Sequence, residues 1–135
     1  MSLDNVQRAI IGAVSTSLGA IPTAYENEKF TKPSDAKWAE VFFMPNDPSV
    51  ETLGAEGQDL TDGIVQINLN YPVGTGGAAA RSDFENIRAS FPAGARPAYN
   101  GQEAVILSCG RSPGRVVDGW YRVSITISWY ALIPR

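Results

Sequence analysis

Residues 63–91 run from a segment of alternating apolar and polar side chains, through the glycine turn Pro72-Val-Gly-Thr-Gly-Gly77, into an amphipathic stretch. A strand, a glycine loop and a helix N-terminus in that order can cradle an anion, because free backbone N–H groups and the helix dipole converge on one spot. Phosphate binding needs more than this. A P-loop ends in Gly-Lys-Ser/Thr, whereas Gly76-Gly77 leads into Ala78-Ala79-Ala80 and no lysine follows Lys37. A dinucleotide fingerprint requires a longer glycine spacing and an acidic residue closing a second parallel strand. Neither is present, so the turn reads as a chain reversal that uses backbone conformations open to glycine. A small-molecule or nucleotide site at Gly74 to Gly77 is kept as the alternative.

The other reactive side chains narrow the chemistry further. The chain has no histidine, which removes Ser-His-Asp and Cys-His nucleophile activation and every imidazole zinc site. Cys109 is the lone cysteine, so neither a disulfide nor a four-cysteine metal site forms within one chain. It lies in an apolar run, residues 103–109, that reads as a buried strand with a core thiol. Glu56, Asp59 and Asp62 do not have the spacing of a calcium loop. The sequence therefore assigns no catalytic residue, no metal and no cofactor.

The elements that position these residues follow from periodicity. Leu3, Val6, Ile10, Val14 and Leu18 recur at three- and four-residue intervals and predict a helix, with Asp4 and Gln7 as a capping box and Gly19 and Pro22 as the stop. Residues 23–26 and 37–44 read as strands, and residues 49–53 as a further strand pairing with the second of these. Residues 54–62 read as a polar, mobile loop. In residues 63–71, Val65, Ile67, Leu69 and Tyr71 alternate with Gln66, Asn68 and Asn70. Ala80, Phe84, Ile87 and Phe91 mark a second helix closed by Pro92. Asn100-Gly101 is a hairpin signal. The last strand, residues 120–132, places Tyr121, Val123, Ile125, Ile127 and Trp129 on one face and leaves Tyr130 on the polar one. Trp129 reads as core, and Tyr130 as a contact for a partner. The expected fold is α+β: a single domain over 1–135, with a mostly antiparallel four- to five-stranded sheet and two helices packed on one face.

At 135 residues and 14.5 kDa, the chain buries roughly two thirds of its unfolded surface, sufficient for one core. No apolar run reaches the ~20 residues of a membrane span, and residues 1–18 lack the pattern of a secretory signal, so a cytosolic protein is expected. The net charge of −3 conceals a segregation. Residues 38–80 hold Glu40, Asp47, Glu51, Glu56, Asp59 and Asp62 and no base, whereas seven arginines and four acids follow from Arg81 onward. Unlike surfaces of this kind suit copies that meet head to tail in a ring. Lacking a basic patch interleaved with aromatics, the chain is not expected to bind nucleic acid specifically.

Four segments carry a resemblance: residues 21–27 (IPTAYEN), 38–45 (WAEVFFMP), 63–77 (GIVQINLNYPVGTGG) and 119–130 (GWYRVSITISWY). In pattern and order, over nearly the whole chain, they resemble the tail terminator-like family of long-tailed bacteriophages and prophages. The resemblance implies a structural α+β subunit that forms a homo-hexameric ring, stops tail-tube polymerisation and meets the head-tail connector. Such a subunit assembles in the host cytoplasm and ends in the neck of the virion, with DNA passing through unbound and no membrane involved. Another neck or tail-completion protein of related fold is the runner-up. Within this reading Glu56, Asp59 and Asp62 are the expected lumen or tube contact. Gly74, Gly76, Arg81, Arg88, Arg111, Arg115 and Tyr130 are the expected subunit interface.

Overall fold

A computed structural model describes residues 2–135. Helix α1 spans Leu3–Leu18 and buries Val6, Ala9, Ile10, Val14 and Leu18. Its cap is Ser2, whose hydroxyl accepts the Asn5 N–H at 3.2 Å. The expected box of Asp4 and Gln7 does not form, because Asp4 pairs instead with Arg8 at 2.8 Å. Strands β1 (Thr23–Tyr25), β2 (Trp38–Pro45), β3 (Ser49–Val50) and β4 (Gln58–Pro72) follow, then helix α2 (Ala78–Ser90). Short strands β5 (Ala98–Tyr99) and β6 (Gln102–Glu103) precede β7 (Val105–Arg111), β8 (Arg115–Val117) and β9 (Trp120–Pro134).

The fold is α+β, but the main sheet is larger than expected and mixed. It has seven strands in the order β1-β2-β4-β9-β7, with β3 added to β4 and β8 to β9. Strand β1 runs parallel to β2, and β5 with β6 forms a separate hairpin across Asn100-Gly101. Both turn residues have positive φ, 52° and 83°, as a two-residue hairpin turn requires. Strand β3 pairs with β4 rather than with β2. The reason is the length of β4: it starts at Gln58 and stays in register with β9 from Gln58↔Pro134 to Pro72↔Trp120. Fifteen-residue partners zip residues 58–62 into the sheet, so only the first part of the expected mobile loop is irregular.

Register explains which face is buried. Ala39, Val41 and Phe43 lie beside Leu69, Ile67 and Val65, which in turn lie beside Val123, Ile125 and Ile127. These side chains and the apolar stripes of both helices form one core cluster, so α1 and α2 cover the same face. Trp129 joins it fully buried, as its alternation predicts. Strand β7 departs from the expected buried strand. It is the outer strand of the sheet, only Ile106 is fully buried, and a bulge between Ile106 and Ser108 shifts the alternation. The bulge turns Ile106 and Cys109 to the same side although they are three residues apart. Cys109 is half-buried beside Arg88; burial pushes its thiol pKa up, and the Arg88 charge opposes that.

The face without helices is polar. Arg122 donates to Glu40 at 2.9 Å and to Asn70 at 2.8 Å, while Ser124 and Gln66 both donate to Asn68. Its far end is aromatic, where Trp38 stacks on Phe30 and meets the edge of Trp120, which is thereby buried.

Tyr71 ties β4 to α2 through a hydrogen bond from its hydroxyl to Asp83 at 2.7 Å. Burial, reinforced by this bond and the Asp83 charge, pushes its pKa well above the ordinary 10.0 of tyrosine. The unfolded chain therefore releases this proton first, and the stabilisation is intact below pH 10 but falls as pH rises further. Tyr71→Phe should flatten the loss of stability between about pH 10 and 11 in denaturant titrations. An unchanged slope would remove Tyr71 from the alkaline response.

Candidate functional site

The glycine turn is the one place where the sequence suggests ligand binding. Gly74 and Gly76 have φ of 90° and 80°, and a Cβ at either would meet nothing within 4 Å. Their conformation calls for glycine, and no close approach of another chain segment does. Thr75 closes the turn by donating to the Pro72 carbonyl at 2.8 Å. Gly77 caps α2 without a side-chain hydrogen bond. The turn is exposed at one end of the sheet, and among the described residues no cluster of acidic, cysteine or histidine side chains could hold a metal.

The three expected lumen acids do not form one group. Glu56 stays on the exposed loop, whereas Asp59 and Asp62 lie on β4. Three residues apart on a strand, these two point to opposite faces. Asp59 pairs with Arg135, and Asp62 accepts from the Asn46 side chain at 3.0 Å.

The expected interface residues divide in a similar way. Arg81 and Arg88, seven residues apart, lie two turns apart on the exposed side of α2. Arg111, at the end of β7, sits over the ring of Phe84 at 5.7 Å and so belongs with them. Arg115 lies on the other face of the sheet, donating to Ser112 and to Ser124. Tyr130 is half-buried on that same polar face, opposite Asp62 and Val105 in register.

Part of the charge segregation seen in the sequence is neutralised within the fold. Glu40 pairs with Arg122 and Asp59 with Arg135, across 82 and 76 residues of chain. The exposed remainder is Asp47, Glu51, Glu56 and Asp62 from the acidic segment against Arg81, Arg88, Arg96, Arg111 and Arg115, with Glu85, Glu103 and Asp118 interspersed among the latter. The acidic set lies along and around the β3–β4 arm; Arg81, Arg88 and Arg111 lie on α2 and β7.

Sequence reasoning missed the residue that shapes the arm. The side chain of Arg135 donates to Gly54 O at 2.6 Å, to Gln58 O at 3.1 Å and to Thr52 O, while its backbone N–H donates to Gly57 O at 2.9 Å. The loop over residues 52–57 is thereby closed on the end of β9, with Leu53 at its tip 91% exposed. No local signal in the sequence marks this, since the partners are about 80 residues apart.

Comparison with known proteins gives these surfaces a family context. Residues 5–129 match the family of phage tail terminator proteins. The chain belongs to the phage tail terminator family. This tail terminator relative also shares its fold with a solved structure at 22% sequence identity, with a TM-score of 0.79 over 98% of this chain and 96% of that one. Comparison with curated proteins gives no match. Membership gives the terminator chain a structural part in completing phage tails, in association with other head or tail proteins. No helix among the described residues is long and apolar enough to cross a membrane.

Proposed function

We propose that residues 1–135 act as one tail-terminator domain that assembles into a six-membered ring, caps the tail tube and ends its polymerisation. The ring then offers the joining surface to the head-tail connector, and DNA passes through its centre without specific binding. The match over residues 5–129 carries this reading. The separation of exposed acids on the β3–β4 arm from exposed arginines on α2 and β7 supports it, because unlike surfaces on one subunit suit a head-to-tail contact whose rotation closes a ring. The protein would assemble in the host cytoplasm and reside in the tail or neck of the virion. It needs no catalytic group, metal or cofactor for this role.

Glu56 and Asp62 remain the proposed lumen or tube contact, each from its own position on the arm. Asp59, held by Arg135, serves chiefly to fix the loop. The variant Glu56→Lys with Asp62→Lys should fold with an unchanged circular dichroism spectrum, because both side chains are exposed. Like-charge contacts at an interface cost several kcal/mol, so infectivity of phage carrying the variant should fall at least about tenfold, with tails of irregular length. Normal tail lengths and plaque counts in electron microscopy and titre assays would rule out this contact.

A further inference from the structure

We propose that the Leu53 tip of one copy seats in the groove between α2 and β7 of the next, an assignment that rests on the ring reading and names the residues of its contact. Leu53 is the most exposed large apolar side chain described, and Val50 beside it is 62% exposed. Arg135 holds the loop that carries Leu53 through hydrogen bonds to two of its carbonyls, Thr52 and Gly54, and to Gln58 and Asp59 at the start of β4. A fixed apolar knob keeps its shape on binding and loses little further entropy there.

The groove has matching chemistry. It is a depression of about 490 Å³ whose lining includes Phe91, Pro92, Leu107, Cys109 and Arg88. A far smaller apolar cavity of about 150 Å³ already takes up benzene, so there is room for Leu53 together with Val50. Leu107 in the groove is itself 51% exposed, which leaves apolar surface on both partners to remove from water. Charge fits too. Glu51 precedes the knob, and Arg88 lines the groove, where Glu85 is the single acid; Arg111 follows Cys109 by two residues on β7. Rims of opposite sign set the orientation of docking.

Within one chain the two features cannot meet. Strand β3, which leads to the knob, lies on one side of β4, and β7 lies beyond β9 on the other. Three strand spacings, roughly 14 Å, separate them laterally. A knob at the end of the β3–β4 arm and a groove between α2 and β7 are unlike surfaces, and their contact is heterologous, the kind that builds rings.

The native Cys109 in the groove supplies the test. In Leu53→Cys, each chain carries one thiol on the knob and one in the groove, and a short bis-maleimide should link copies into a ladder extending beyond dimers on denaturing gels. Wild type and the double variant Leu53→Cys with Cys109→Ser, each with one thiol, should give no ladder. In parallel, Leu53→Asp should abolish ring formation in light scattering without lowering the melting temperature, since Leu53 touches little of its own fold. A wild-type ring with no ladder from Leu53→Cys, or a ring that survives Leu53→Asp, would overturn this contact and leave the ring reading standing. Wild-type protein that is monomeric both free and on purified tails, with no ladder, would overturn the two together.

Discussion

Trp129→Ala should destabilise the fold by about 4 kcal/mol, the middle of the range for removing a buried aromatic side chain. Trp129 is fully buried on β9, stacked on Phe43 of β2 with ring centroids 5.1 Å apart. Between β2 and β9 runs β4, and opposite Trp129 on that strand stands Gly63, whose missing side chain makes the space the indole fills. Truncation would open a cavity at the centre of the sheet that backbone movement cannot close, because β4 is hydrogen-bonded on both sides there. For a chain of this size the melting temperature should drop by roughly 10–20 °C. Trp129→Phe should recover more than half of the loss. The indole N–H has no hydrogen-bond partner, so phenylalanine gives up ring area and no polar contact. If the two variants were equally destabilised in calorimetry, filling of the space over Gly63 would not be the source of the effect.

Gly63→Val should be nearly as damaging, and for the opposite reason. A Cβ at this position would stand 2.8 Å from Pro45 Cα and 3.0 Å from the Trp129 ring, and closer still to the Met44 carbonyl. Backbone cannot swing away as a flexible side chain does, so β2 and β4 would have to separate at the row that starts the hairpin arm. Overpacking of a core costs about 1–3 kcal/mol where side chains can adjust; the main-chain clash sets the expectation at the top of that range. Combining Gly63→Val with Trp129→Phe should rescue only part of it, because the carbonyl and Pro45 remain. Full rescue would locate the strain in the ring alone. Urea unfolding of the single and double variants decides between these outcomes.

Much of this architecture can be read in the chain. Alternation along residues 63–71 and 120–132 assigns the two central strands and their buried faces correctly, because a half-buried strand repeats every two residues. The same logic, at a period of 3.6, finds α1 and α2. Glycine and asparagine at the turns mark where strands reverse. The sheet's full extent is not legible. Residues 58–62 look like a loop by composition, and they become strand because β9 is long enough to pair with them. The β7 bulge, the parallel placement of β1 and the pairing of β3 likewise depend on partners distant in sequence. At the candidate site, the exposed arginines of α2 were legible as a basic segment. The Leu53 tip and its Arg135 clamp were not, since an exposed leucine in a polar stretch gives no periodic signal.

The glycine turn shows where the division falls. Composition alone determined what this protein lacks: without histidine, a second cysteine or any lysine near Gly74 to Gly77, neither a Ser-His-Asp or Cys-His nucleophile nor the lysine-dependent phosphate cradle of a P-loop has its parts. Segment order determined the family resemblance, which the match over residues 5–129 bears out. Tertiary structure decided which charges remain available to a partner. Glu40 with Arg122 and Asp59 with Arg135 are absorbed as ion pairs inside the subunit, while Asp47, Glu51, Glu56 and Asp62 stay exposed on and around the β3–β4 arm and Arg81, Arg88 and Arg111 on α2 and β7. Those pairings span most of the chain, and only strand register brings their side chains together.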